Sequence, residues 1–130
     1  MQEIEYNLNK LWAVFLKCVA KIKAILLKVA GGQELAERYG DLQQLVDKMR
    51  AITKQIDGLL HMLREHDSIR KSLQVSYETC RASASLLELQ AMVENVVSDK
   101  LPQLAFQEKL SNDEKEDNIL GIIDILNYAF

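Results

Sequence analysis

The sequence predicts an all-α fold: an antiparallel bundle of three long helices plus a shorter C-terminal helix, with coiled-coil-like packing. Three observations carry this prediction. One proline, Pro102, and five glycines punctuate 130 residues, too little turn chemistry for a sandwich or barrel, whose turns recur roughly every 8–12 residues. Apolar residues make up 48% and charged residues 27%, so the chain has enough greasy surface to fold without disulfides or metals. Ile4, Leu8, Leu11, Phe15, Cys18, Ile22, Ile25 and Val29 follow a 4-3-4-3-4-3-4 spacing, the heptad seam that keeps one helix stripe against a neighbour.

The first helix is expected over about residues 3–30. Trp12, Leu16, Val19, Leu26 and Leu27 widen its apolar side to about 200°, against the roughly 100° stripe an ordinary core-facing helix needs. Lys10, Lys17, Lys21 and Lys28 fall within about 40° of one another at 3.6 residues per turn. Gly31-Gly32 supplies the stop. Residues 33–39 are expected either as a short separate helix before Gly40 or as part of one helix that runs through Gly40, at a cost of about 1 kcal/mol relative to Ala. A second long helix follows over 41–65, opened by the capping-box pattern Asp41-Leu-Gln-Gln44. The apolar stripe lapses around Glu65-His66-Asp67-Ser68, where a turn makes the bundle compact.

The third helix is expected over 68–100. Its first face carries Ile69, Leu73, Tyr77, Cys80, Ala84, Leu87 and Ala91, and an adjoining one Leu86, Leu89, Val93, Val96 and Val97. Pro102 should break it. The last helix is expected over 112–129, capped by Ser111 with Glu114 three residues on. It is apolar enough that its side must dock on the bundle or on a partner.

Charge is divided along the chain. Residues 1–30 carry five Lys against two Glu, a net of +3. Residues 103–130 carry two basic against six acidic groups, a net of −4, so the two ends are suited to lie together. A single all-Lys stripe on a net-acidic chain argues against nucleic acid as the main partner.

No chemistry-bearing motif stands out. Cys18 and Cys80 are too few for a secreted disulfide framework and sit inside apolar patterns, as packed thiols do. The start, Met1-Gln-Glu-Ile-Glu5, is acidic and polar, so an intracellular protein, cytoplasmic or nuclear, is expected. Asp57, His61 and Glu65 share one helix face, but no Glu-x-x-His pair of the di-iron bundles occurs, and a solvated polar face is the simpler reading. No catalytic, cofactor-binding or metal residue is assigned. Four lysines between residues 17 and 28 make a spanning helix costly, at about 2.5–3.5 kcal/mol each near the bilayer centre.

The expected function is therefore a non-enzymatic interaction or assembly subunit of an intracellular complex, binding partner helices as a homo- or hetero-oligomer. The expected contacts are Leu8, Leu11, Trp12, Phe15, Leu16 and Val19 on the first helix and Ile123, Leu126 and Phe130 on the last. The alternative is a peripheral membrane protein that lays Lys10, Lys17, Lys21 and Lys28 on an anionic surface, with Trp12 and Phe15 as its aromatics.

Overall fold

A computed structural model describes residues 3–66, 68, 71, 77–106 and 111–129, with side chains over 6–63, 80–106 and 111–129 and at 66, 68 and 71. The described residues are almost wholly helical and contain no strand. The helices pack on one another as an all-α bundle. They are α1 (Glu3–Ala30), α2 (Leu35–Glu65), α3 (Tyr77–Glu94), a π-helical segment (Asn95–Lys100), α4 (Leu101–Phe106) and α5 (Asn112–Ala129). α3, the π segment and α4 run on without a break and act as one rod.

α1 ends where the glycines predict. Gly31 N–H donates to Leu27 O, Gly32 N–H to Val29 O, and Gln33 N–H to Lys28 O. Gly32 takes a φ of 115°, a left-handed conformation that side chains with a Cβ resist. The short connection to Leu35 returns α2 antiparallel along α1. α2 ends at Glu65, and His66 leaves helical geometry with φ −128° and ψ 78°, so the turn expected near 65–68 begins there. Ile69, Leu73 and the Tyr77 side chain lie outside the described residues.

Two expected boundaries are corrected. Of the two readings of residues 33–39 the continuous helix is the one observed: α2 starts at Leu35 rather than at 41 and runs straight through Gly40, so Asp41 is not a cap. Asp41 is instead held by Arg38, Nε to Oδ2, at 2.9 Å. A glycine inside a helix costs about 1 kcal/mol, and tertiary contacts on both sides of Gly40 outweigh it. Leu35 and Leu42 are buried, and the Tyr39 hydroxyl donates to Val97 O.

Pro102 likewise does not end the third helix. It lacks the N–H for a regular helical bond, and its ring would crowd the carbonyl four residues back. The wider π segment immediately upstream absorbs both problems. Leu101 N–H donates to Val96 O, five residues back, and the helix resumes to Phe106. The buried face of this rod is also mainly the adjoining one, joined by Cys80 from the first face. Cys80, Leu86, Val93, Val96, Val97, Leu101 and Leu104 are enclosed, whereas Ala91 is exposed and Ala84 and Leu87 are half-buried.

α5 is capped as expected, Glu114 N–H donating to Ser111 Oγ at 3.2 Å. Its first turns meet the last turn of α1: Val29 and Ala30 share a cleft of about 210 Å³ with Asn112, Lys115, Glu116 and Ile119. α5 therefore descends antiparallel along α1, and the basic and acidic ends of the chain lie side by side. It is held by Ile119, Ile122, Ile123 and Leu126, each worth about 1.5–3 kcal/mol when buried.

Candidate interaction surface

α1 is covered from two sides, by α2 and by α5. Leu8, Phe15, Cys18, Val19, Ile22, Ile25 and Leu26 fill the core between them, and Leu11, Trp12, Val14 and Val29 pack at its margin. The wide apolar arc of α1 is thus divided. Val19 and Leu26 turn inward, while Leu16 and Leu27 remain 44% and 56% exposed. Ala13, Ala20 and Ala24 are exposed with them, so the outer strip is narrow, floored by methyl groups and edged by two leucines.

This placement narrows the expected contact set. Leu8, Phe15 and Val19 on α1, and Ile123 and Leu126 on α5, are buried in the chain's own core and are not offered to a partner by the folded molecule. They are the residues with which α1 closes against α2 and α5. Leu11 and Trp12 are half-buried, and Leu16 is the one named α1 residue that stands outside. Phe130 lies outside the described residues. The aromatics expected to enter a lipid surface are turned inward too: Phe15 is 0% exposed, and the Nε1 of Trp12 is buried.

Lys10, Lys17, Lys21 and Lys28 are all exposed. None of the four joins an ion pair among the described residues. Lys21 and Lys28 flank a groove of about 450 Å³ between α1 and α2, whose far wall holds Arg38, Gln44 and Lys48. Asp41 tempers that wall through its pair with Arg38.

The outer side of α5 carries the opposite charge. Asp113, Glu114, Asp117 and Asp124 are exposed, with Leu120 at 41% and Tyr128 at 96%. Tyr128 is nearly free of the bundle, because the narrow stripe of α5 that meets α1 is taken up by its four buried aliphatics. Leu27, Leu120 and the exposed alanines are not among the expected contacts. Their signal was present as helical spacing, but nothing in the spacing says which part of a broad apolar arc its neighbours will cover.

Away from this surface the polar groups are structural. Arg50 Nε donates to Glu94 Oε1 at 2.8 Å and ties α2 to the end of α3. Glu94 also accepts from Gln90 Nε2 at 2.9 Å. The Gln90 amide and then the Arg50 guanidinium hold the Glu94 carboxyl below the usual range. Cys18 and Cys80 are buried reduced thiols. Asp57 and His61 are exposed on α2, and no group of ligands able to hold a metal ion occurs among the described residues. No described helix is long and apolar enough to cross a membrane. Comparison with protein-family models, with curated proteins and with solved structures yields no match to this chain.

Proposed function

We propose that this chain is a non-enzymatic helical interaction subunit of an intracellular assembly, docking a partner helix on the outer face of α1. The observation that carries the reading is the strip of Leu16 and Leu27 with Ala13, Ala20 and Ala24, exposed along a helix whose opposite side is fully enclosed. Small side chains between larger ones allow a second helix to approach closely, and knobs seat in such hollows. The lysine row beside the strip adds charge selectivity at its rim, where ionic contacts govern encounter more than affinity. Buried, reduced Cys18 and Cys80 agree with an intracellular setting.

A lipid surface is the weaker reading. Phe15 is enclosed and Trp12 packs half-buried at the margin of the core, so little aromatic surface is left for insertion on this side. The acidic outer side of α5, on the other side of the exposed strip from the lysine row, also repels an anionic bilayer.

The test is the doubly charged variant Leu16→Asp with Leu27→Asp. Both sites are exposed, so helicity and thermal midpoint should hold. The tagged wild-type chain, in an extract of the cells that make it, should migrate well above its own 14.8 kDa, and the variant should not. Migration of the wild type at its own mass would defeat the proposal. Salt-sensitive binding to anionic vesicles, lost in Lys17→Glu with Lys21→Glu, would turn the reading to the membrane.

A further inference from the structure

We infer that the outer face of α1 is closed by a second copy of this chain, related by a two-fold axis parallel to α1 and α5. The inference rests on the interaction reading above and names the occupant. It starts from the relative height of the two helices. Val29 and Ala30 share one cleft with Asn112, Lys115, Glu116 and Ile119, whose midpoint falls between Lys115 and Glu116. Descending the antiparallel pair from there at equal rise brings Lys28 level with Asp117, Ala24 level with Gly121, and Lys21 level with Asp124.

Within one chain these charges do not meet. Lys21 and Lys28 stand on the α2 side of α1. Asp117 and Asp124 are exposed on α5. No ion pair joins them. The helical wheel explains why. Taking each helix at about 100° per residue, the lysines lie roughly 180° from the side of α1 that α5 covers. The aspartates lie on the far flank of α5 in the same way.

A two-fold rotation about an axis parallel to the helices keeps every height and exchanges the flanks. It lays the second copy's α5 antiparallel on the outer face of α1. Lys28 then faces the second copy's Asp117, and Lys21 its Asp124. Symmetry repeats both pairs on the other side. They sit at the rim, as flanking charges do in paired helices. Between them the second copy's Leu120 comes within one residue's rise of Ala24, over the hollow left by Ala20 and Ala24 beside Leu27. The exposed leucines of both helices are thereby covered, and the same patch serves both molecules, so the assembly closes at two copies.

Sedimentation over a concentration series tests this with the full chain. The wild type should pass from monomer to dimer. Lys21→Glu with Lys28→Glu should weaken the dimer about tenfold or more, given four exposed pairs lost, and so should Asp117→Lys with Asp124→Lys. Each variant is first shown by circular dichroism to be folded. An equimolar mixture of the two variants should recover wild-type association, because both contacts of the heterodimer are again oppositely charged. A wild-type chain monomeric at millimolar concentration overturns the inference, as does a dimer indifferent to both charge sets or a mixture that stays apart. If the purified chain is monomeric yet the extract experiment shows a larger species lost with Leu16→Asp and Leu27→Asp, this inference fails and the interaction reading stands.

Discussion

The Tyr39 hydroxyl donates to the main-chain carbonyl of Val97 at 3.1 Å, and so fastens the start of α2 to the π segment. The same oxygen accepts from Gln43 Nε2 at 2.6 Å. The ring meets Phe106 edge to face, centroids 5.8 Å apart. One side chain thus joins the two irregularities of the fold, the helical Gly40 beside it and the widened turn before Pro102.

Removing that hydroxyl should cost stability. Tyr39→Phe keeps the ring against Phe106 and gives up the bond to Val97, a loss of about 1 kcal/mol. Urea unfolding of the two proteins measures it. An unchanged midpoint would mean that the π segment stands without the tie.

The two faces of α1 should respond differently to truncation. Phe15→Ala opens a void in the enclosed core and should cost about 3–5 kcal/mol. Leu16→Ala, one position on and exposed, should stay within about 0.5 kcal/mol in the monomer. Equal losses in denaturant titrations at low protein concentration would show that the outer strip is not outside.

Gly40→Ala should stabilise the chain by about 0.5–1 kcal/mol. The backbone there is helical, and an added Cβ meets nothing within 4 Å. Thermal unfolding decides the sign. A fall in midpoint would place the glycine at a contact.

The Glu94 contribution should depend on pH in one direction. Its carboxyl is held below the ordinary value, first by Gln90 and then by Arg50. A lowered folded pKa gives stability that is present above the unfolded pKa, about 4.3 for Glu, and lost as pH falls through the folded value. The stability gap between wild type and Glu94→Gln should therefore be small but measurable at neutral pH and close in acid. A gap that grows in acid would reverse the assigned shift. Since the Arg50 side chain is largely in solvent, high salt should narrow the same gap.

Much of the local structure is legible in the chain itself. The heptad spacing of α1 requires a long helix with one packed seam. Gly31-Gly32 dictates where that helix stops, and Ser111 with Glu114 where α5 begins. These outcomes follow from residue-level physics, from side-chain period, backbone freedom and a hydroxyl within reach of an orphan N–H. Local rules also pointed to breaks at Gly40 and Pro102, and there they lost. The costs were about 1 kcal/mol at one and a missing hydrogen bond at the other, less than the burial of Leu35, Leu42, Leu101 and Leu104 on either side. The tertiary structure alone decided which face of α3 is enclosed and which part of the α1 arc stays out. Spacing gives each residue an angle about its own helix axis, but Val19 and Leu16 differ in fate because α5 arrives on one side of α1 and none of the described residues covers the other.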